Sequence, residues 1–197
     1  MPTILVQFAH PVFSKSRVQK TLVKYCRDIE GVTFNDLYEH YPDLFIDVKR
    51  EQELLLQHDI IVLQHPFYWY SGPAIIKQWM DLVLEYDWAY GPRGKALVGK
   101  KMLSVLSSGS SKEAYKNTGF NKYTIPTYLL PFSQTASLCG MEYLPPFIVH
   151  GTHRITAEGI EAHGKQYASI LKALVNGMIT SEKYQQVEYM NELNLTI

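Results

Sequence analysis

Four consecutive aromatic side chains, Phe67, Tyr68, Trp69 and Tyr70, form a segment that could bind a flat ligand. The apolar run before it, residues 59–63, is short and rich in β-branched side chains, which is typical of a strand buried on both faces of a parallel sheet. Pro73, after it, suits the first position of a helix. The segment therefore falls at the carboxyl end of a strand, where open α/β sheets bind ligands. Taken alone, however, such rings are more often packing residues of a core or a dimer interface.

A second candidate segment, residues 10–17, joins the first predicted strand to the first predicted helix. Its two serine hydroxyls, its lysine and its arginine lie beside the free backbone N–H groups of a helix start, a combination that suits a phosphate. It has no glycine and lacks the Gly-Lys-Ser/Thr ending of a P-loop, which argues against a nucleoside triphosphate with magnesium. The alternative is an ordinary serine N-cap with solvated basic neighbours.

A third segment, residues 107–111, follows the fourth predicted strand and holds four serines and one glycine. Small side chains let backbone N–H groups approach a ligand and donate to its carbonyl oxygens, although a simple flexible turn has the same composition. An anion site, an aromatic wall and an amide-rich loop at one sheet edge would bind the phosphate, the ring face and the pyrimidine edge of flavin mononucleotide (FMN). The three segments together predict an FMN pocket.

The elements that must position these segments alternate between two patterns. Strand-like runs occupy residues 3–9, 32–37, 60–64, 102–107 and 143–149, and helical patterns occupy residues 17–30, 49–57, 74–86, 124–139 and 156–176. This alternation predicts an α/β fold, a three-layer sandwich with a five-stranded parallel sheet of strand order 2-1-3-4-5. Pro131 is expected to kink the fourth helical segment or divide it into two short helices.

Composition limits the class of protein. With 197 residues, of which 46% are hydrophobic, the chain fits one domain with its own core, predicted over residues 1–179. The more polar residues 180–197 are predicted to form a tail that is at best partly ordered or that packs on a neighbour. Nineteen basic and nineteen acidic residues cancel, and the absence of a Lys/Arg run argues against a nucleic-acid partner.

Cysteine usage and the amino terminus suggest a compartment. Cys26 and Cys139 lack metal-ligand spacing and lie in apolar helical patterns, where a buried reduced thiol is the default, so we expect no metal site and a reducing environment. Residues 3–9 already form a strand pattern, which leaves no basic leader, and no apolar run approaches about 18 residues. A cytoplasmic location is therefore expected.

Several motifs resemble a known family. They are HPFYWYSGPAIIKQWMD at residues 65–81, WAYG at 88–91 and LVGK at 97–100. These motifs are similar to those of the flavodoxin-like NAD(P)H:quinone oxidoreductases, over most of residues 3–176. The patterns LY…YPD…ID at 37–47 and LPPF at 144–147 resemble its short members, which include ancillary flavoproteins of glutathione-gated potassium efflux systems. The resemblance implies a flavodoxin-like fold and a homodimer with two flavin sites near the subunit interface.

Carried over position by position, the resemblance implies three groups of flavin contacts. The phosphate and ribityl chain would be bound by His10, Ser16, Arg17, Val18 and Gln19. The isoalloxazine would lie along Phe67, Tyr68, Trp69 and Tyr70, with its polar edge at Ser107, Ser108, Gly109 and Ser110. This chain departs from the family at Gln19, where many members have asparagine, and at residues 107–110, where Thr-Thr-Gly-Gly is usual.

The resemblance also implies a catalytic pair, Tyr115 and Asn121. Tyr115 falls where the family often has a catalytic tyrosine, and Asn121 replaces the histidine expected six residues later. Asparagine donates a hydrogen bond but exchanges no proton at neutral pH, so turnover would be weaker or protons would come from Tyr115 and water. The alternative is that Tyr115 is one more surface tyrosine among 14. His65 and His150, at the ends of apolar strands, are expected to be structural.

Two classes of function follow from the resemblance. In the first, a hydride passes from NAD(P)H to FMN and then to a quinone-like acceptor in the same cavity, which predicts ping-pong kinetics. In the second, the protein is an ancillary subunit that docks on a membrane potassium efflux protein at the inner face of the cell membrane, with flavin chemistry secondary. FAD is the alternative cofactor because the family uses both flavins, and no ribose-binding motif selects NADH or NADPH.

Overall fold

A parallel sheet forms the centre of the computed structural model, which describes residues 1–195. Its strands are β1 (Ile4–Phe8), β2 (Val32–Asp36), β3 (Ile60–Pro66), β4 (Lys101–Ser107), β5 (Glu142–Tyr143) and β6 (Phe147–Val149). They run in the order β2-β1-β3-β4-β5, and β6 also pairs with β4. The predicted α/β class and strand order are confirmed.

The sheet differs from the prediction at its last edge. The single strand expected over residues 143–149 is divided into β5 and β6, which gives six strands instead of five. Pro145 and Pro146 lie between them and have no N–H to donate to a sheet ladder. Leu144 keeps one ladder bond, from its N–H to the carbonyl of Met102 at 2.8 Å, and pairing resumes after the prolines.

Helices cover both faces of the sheet. They are α1 (Arg17–Cys26), α2 (Leu37–His40), α3 (Val48–Gln57), α4 (Ala74–Val83), α5 (Ile125–Tyr128), α6 (Leu130–Leu138), α7 (Ala157–Val175) and α8 (Ser181–Tyr184). Successive strand side chains point to opposite faces, so β1 places Ile4 and Val6 in the core beneath α1 and α7 and Leu5 in the core beneath α3, α4 and α6. Both cores are built from side chains with almost no exposure.

Helix ends follow the local sequence. Side-chain caps begin α1 at Ser16, α3 at Asp47 and α7 at Thr156, each accepting a hydrogen bond from the backbone N–H three residues later. The segment predicted over residues 124–139 is two helices, α5 and α6, with Pro131 in the first turn of the second, as expected. The first helix ends at Cys26 and is therefore four residues shorter than the predicted segment 17–30.

The segment predicted as a tail packs on its own domain, so the expectation of a partly ordered tail needs correction for the residues described. We call residues 181–195 the C-terminal strap; residues 196–197 lie outside the described part. Tyr184 and Met190 of the strap are buried in the core beneath α7. The side-chain amide of Asn191 accepts from the Ile148 N–H at 2.8 Å and donates to the Ile148 carbonyl at 3.1 Å, so it pairs with the edge strand β6 as another strand would.

Residues 1–195 contain neither a membrane-spanning helix nor a cluster of metal ligands. None of the helices described is long and apolar enough to cross a membrane. Within the same residues, no group of three His, Cys, Asp or Glu side chains is arranged to hold a metal ion.

Candidate functional site

A cleft of about 700 Å³ opens at the carboxyl edge of the sheet. The loops after β1, β3 and β4 border it, and the loop after β6 joins them. The predicted site residues that line this cleft are His10, Ser16, Arg17, Val18, Phe67, Tyr68, Ser107 and Gly109. Those that do not line it are Gln19, Trp69, Tyr70, Ser108, Ser110, Tyr115 and Asn121. The fold thus brings the three predicted segments to one cavity.

The amino end of α1 faces this cleft. Ser16 caps the helix, because its Oγ accepts the Gln19 N–H at 3.1 Å. The N–H groups of Arg17 and Val18, in the first turn, have no acceptor within an α-helix. Lys15 and Arg17 add positive charge, and the cleft-lining residues, all in the described part of the chain, include no carboxylate. This end of the cleft suits a phosphate-like anion.

His10 supplies a neutral donor beside that helix start. Its Nδ1 accepts the Val12 N–H at 3.1 Å, and burial lowers the pKa of the imidazole below its ordinary value. A neutral imidazole that accepts at Nδ1 carries its proton on Nε2. The ring is also held edge-on to Tyr68, with 6.2 Å between centroids. His10 therefore presents a fixed polar group to the cleft it lines.

The aromatic turn has a strained backbone. Trp69 and Tyr70 have φ angles of 50° and 64°, and a bridge joins Tyr68 to Ser71 across them, with the Ser71 N–H donating to the Tyr68 carbonyl at 2.9 Å. Positive φ at both central positions is the geometry of a type I′ turn, which favours Asn and Gly because a Cβ is crowded there. Strain of this kind persists where the surroundings impose it, as at ligand sites.

The four rings of this turn have different surroundings. Phe67 is buried and Tyr68 is half-exposed, and both line the cleft. Tyr70 stacks on Tyr128, with ring centroids 4.8 Å apart. Trp69 is 92% exposed and lies outside the cleft in the isolated chain. The predicted wall is therefore formed by two of the four rings, and the strained turn holds the Trp69 indole in solvent.

The loop after β4 packs closely against the loop after β6. A Cβ at Gly109 would lie 2.8 Å from the Nε2 of His153, so a larger residue there would require the exposed His153 side chain to move. The Ser108 N–H donates to the Val149 carbonyl at 2.9 Å and its Oγ donates to the Tyr115 hydroxyl at 3.2 Å. This loop is thus a fixed wall of the cleft rather than a flexible turn.

The predicted catalytic pair, Tyr115 and Asn121, lies in an aromatic cluster beside the cleft. Tyr115 is buried, not a surface tyrosine, and its ring meets Phe67 edge-on with 5.7 Å between centroids. The Oδ1 of Asn121 accepts from the Tyr70 hydroxyl at 3.3 Å, and its backbone carbonyl accepts from the Tyr128 hydroxyl at 2.6 Å. Among the described residues, the buried Nδ2 of Asn121 has no acceptor. That donor is unpaired within residues 1–195.

Gln19 differs from the expectation that it contacts a ligand. Its side chain is fully buried, with Nε2 donating to the Ser107 Oγ at 3.0 Å and Oε1 accepting from the Gln64 Nε2 at 2.9 Å. The side chain therefore lies behind the cleft wall, one hydrogen bond away from the lining residue Ser107. The extra methylene of glutamine gives it the reach to bridge α1 to β3 and β4.

Burial keeps two histidines neutral. Burial lowers the pKa of His65 to about 4 and that of His150 to about 4. His65 is fully buried, and its Nδ1 donates to the Pro66 carbonyl at 2.9 Å. His150 lies between Tyr115 and Tyr189, with ring centroids 5.9 Å and 6.3 Å away. Both positions agree with a structural role.

Thr152 and His153 line the cleft but are absent from the predicted set. They follow β6, and the Thr152 N–H donates to the Ser108 carbonyl at 3.1 Å. Their position after an apolar strand pattern was a usable signal, because carboxyl ends of parallel strands share one edge.

Comparison with known proteins identifies relatives over most of the chain. Residues 2–171 match the family model described as flavodoxin-like fold. The glutathione-regulated potassium-efflux system ancillary protein KefG of Enterobacter sp. (strain 638) is 42% identical over 168 residues, which are 85% of this chain and 92% of that protein. The crystal structure of general stress protein 14 from Treponema denticola, in complex with FMN, is 38% identical with a TM-score of 0.84, covering 88% of this chain and 99% of that one. An NADPH-quinone reductase structure from P. pentosaceus is 33% identical with a TM-score of 0.78, covering 85% of this chain and 96% of that one.

Proposed function

The chain belongs to the flavodoxin-like fold family, and on that premise we propose that it is an FMN-dependent NAD(P)H oxidoreductase that reduces a quinone-like acceptor. The observation that carries the proposal is one cleft in which a cationic helix start, two aromatic rings and a small-residue loop meet. The FMN complex of a relative and the name of another, NADPH-quinone reductase, support it.

The cleft residues fit FMN at its phosphate end. The free N–H groups of Arg17 and Val18, the positive charges of Lys15 and Arg17 and the Ser16 hydroxyl suit a phosphate dianion. His10 adds a neutral Nε2–H donor. The Ser16 Oγ already accepts the Gln19 N–H, so its own proton is free to donate to a phosphate oxygen.

The residues also fit the ring end. Phe67 and Tyr68 offer apolar ring surface, and Gly109 leaves the backbone open to close approach. Bound there, FMN would supply two-electron chemistry, taking a hydride from the nicotinamide and delivering it to the acceptor. The chain's part is to bind each reactant in turn in one cavity and to exclude water. Because the two reactants share that cavity, the nicotinamide leaves before the acceptor enters, and the kinetics are ping-pong.

Tyr115 and Asn121 are proposed to act as hydrogen-bond donors near the reacting groups. The Tyr115 hydroxyl receives a hydrogen bond from Ser108, which leaves its own proton free to donate. The Asn121 Nδ2 donor has no acceptor among the described residues. Donors aimed at developing negative charge lower a reaction barrier.

The test uses the full-length protein. Its bound chromophore is released by denaturation and identified by mass, which separates FMN from FAD. The apoprotein is then titrated with FMN, and NADH or NADPH oxidation is followed with a water-soluble benzoquinone. Arg17→Ala should weaken binding of FMN but not of riboflavin, whereas Arg27→Ala, at the opposite end of α1, should change neither. A protein that binds neither flavin would refute the proposal.

We also propose that the protein is a homodimer. Phe45 and Phe120 are 83% and 90% exposed in the isolated chain, a degree of aromatic exposure that a second copy would reduce. Sedimentation velocity tests this proposal. A protein that stays monomeric at up to about 100 times the concentration used in the activity assay would refute the proposal. In a dimeric protein, Phe120→Ser should shift the equilibrium toward monomer.

A second candidate function is an ancillary role in glutathione-regulated potassium efflux. It is favoured by the KefG relatives, which are 40–42% identical over 91–94% of their length. Copurification of the tagged protein with a membrane potassium-efflux protein of its own cell tests this role. The two functions can coexist in one protein. A surface variant that no longer copurifies with the efflux protein but still reduces quinone would show that they are separable.

A further inference from the structure

A line of buried hydrogen bonds leads from the core of the domain to the wall of the cleft. The Tyr167 hydroxyl of α7 donates to the Gln64 Oε1 at 3.0 Å, the Gln64 Nε2 donates to the Gln19 Oε1 at 2.9 Å, and the Gln19 Nε2 donates to the Ser107 Oγ at 3.0 Å. Tyr167, Gln64 and Gln19 have no exposed surface, and Ser107 is 7% exposed. Four residues from α7, β3, α1 and β4 are therefore joined in one chain.

All three hydrogen bonds point the same way, toward the cleft. An amide side chain that accepts on its oxygen donates through its nitrogen, so the orientation of one residue fixes that of the next. The Cys26 thiol lies 3.8 Å from the Gln64 Oε1 and 3.6 Å from the Val23 carbonyl, and its single proton is shared between these two acceptors. Each bond polarises its neighbour, so the chain is stronger as a unit than as separate pairs.

The direction is set by Tyr167. A phenol has one proton, and the only oxygen acceptor for it among the described residues is the Gln64 Oε1. Reversing the chain would turn the Gln64 amide nitrogen toward Tyr167 and leave that buried proton without an oxygen acceptor, which costs the desolvation free energy of the group. Burial raises the pKa of Tyr167 well above its usual value, so the proton stays on the phenol across the physiological range.

The consequence appears at Ser107. A serine hydroxyl has one proton and two lone pairs, and here one lone pair is occupied by the Gln19 Nε2. Within the described chain the Ser107 hydroxyl has no further protein partner, and Ser107 lines the cleft. Its proton is therefore directed away from Gln19 and toward whatever occupies the cleft.

We propose that Gln19 is a positioning residue that fixes Ser107 as a hydrogen-bond donor to an acceptor atom of the ligand. The inference rests on the proposed function, because it takes the ligand to be FMN, whose ribityl hydroxyl, phosphate and carbonyl oxygens can all accept. It assigns to Gln19 a role through Ser107 rather than a direct contact. A cleft built this way favours a ligand with an acceptor at this point over one with a donor.

A double-mutant cycle on FMN affinity tests the proposal. Ser107→Ala removes the donor, and Gln19→Met keeps the length of the side chain but removes both hydrogen bonds. Each should weaken FMN binding about three- to tenfold, the value of one hydrogen bond. In the double variant the loss should match that of Ser107→Ala alone, because Gln19 acts through Ser107. The absorption band of bound FMN should shift in the same direction in both single variants.

Gln7→Met is the matched control. Gln7 is equally buried and also makes two amide hydrogen bonds, but with Glu51 and Asn35 on the other face of the sheet. It should lower the melting temperature without changing the FMN affinity of the folded protein. Two results would overturn this inference but not the proposed function. In the first, the double variant loses FMN affinity by the product of the two single-variant factors. In the second, the wild type binds FMN and Gln19→Met binds it equally well. A wild-type protein that binds no FMN would overturn the proposed function as well.

Discussion

The strained aromatic turn predicts that one substitution raises stability while it lowers ligand affinity. In Trp69→Gly the residue with φ of 50° loses the Cβ that is crowded in that conformation. Because the indole is 92% exposed, the apoprotein gives up almost no buried surface when it is removed. The stability of the apoprotein should therefore rise, whereas the prediction that Trp69 borders the isoalloxazine requires its affinity for FMN to fall.

The magnitude follows from two opposing backbone effects. The left-handed conformation costs a residue with a Cβ about 1–2 kcal/mol, whereas glycine loses about 0.5–1 kcal/mol more conformational entropy on folding. The net gain is about 0.5–1 kcal/mol, which for a chain of this size raises the melting temperature by about 1–4 °C. If the indole borders the isoalloxazine, its removal forfeits a stacking contact of about 1–3 kcal/mol and weakens FMN binding about 5- to 150-fold.

The assay compares Trp69→Gly with Trp69→Ala. Alanine keeps the crowded Cβ but removes the indole, so it should show the same loss of FMN affinity without the gain in stability. Thermal unfolding of the apoproteins at two protein concentrations separates a backbone effect from a change in self-association, because only the latter depends on concentration. FMN affinity is read from quenching of flavin fluorescence.

Two results would refute the reasoning about Trp69. Equal melting temperatures in the glycine and alanine variants would show that the positive φ stores no strain. Unchanged FMN affinity in both would mean that the indole does not contact the flavin, and the turn would then serve packing or subunit contact alone.

Three further predictions concern other groups. Glu51 is fully buried and accepts hydrogen bonds from several side chains, so Glu51→Gln should lower the free energy of unfolding by about 3 kcal/mol in urea titrations, whereas Glu53→Gln on the exposed face of α3 should change it by less than about 0.5 kcal/mol. Tyr115→Phe should lower quinone turnover with little change in FMN affinity. Asn121→His should raise quinone turnover and make it depend on pH near neutrality. Steady-state rates that are unchanged across a pH series would contradict both predictions. Burial lowers the pKa of His65 from 6.5 to about 4, so as the pH falls the unfolded chain binds this proton before the folded chain does. The free energy of unfolding should therefore keep its full value above pH 6.5 and fall by up to roughly 3 kcal/mol toward pH 4. His65→Gln should remove this contribution to the pH dependence of the free energy of unfolding.

Most of the fold could be predicted because periodicity reports burial directly. The run at 3–9 contains β1 and the run at 60–64 lies within β3, since strands covered on both faces are mostly apolar. The errors lie where local chemistry competes with pattern. Two prolines divide the last strand, and the polar strap, which has no strong period, is held by the pairing of Asn191 with an edge strand that no sequence pattern announces.

For the site, as for the fold, the order of elements along the chain predicts which loops meet, but packing determines which side chains face the cleft. Loops after successive parallel strands must meet at one edge, so Ser16, Phe67 and Ser107 could be grouped from the sequence. Whether a side chain faces the cleft or lies behind its wall depends on neighbours distant in the chain. Gln19 is turned inward because Gln64 offers it a donor and Ser107 offers it an acceptor, on strands 45 and 88 residues away. A substitution that departs from a family motif can therefore move a residue from the ligand to the support of a ligand contact, and only an experiment that couples Gln19 to Ser107 distinguishes the two.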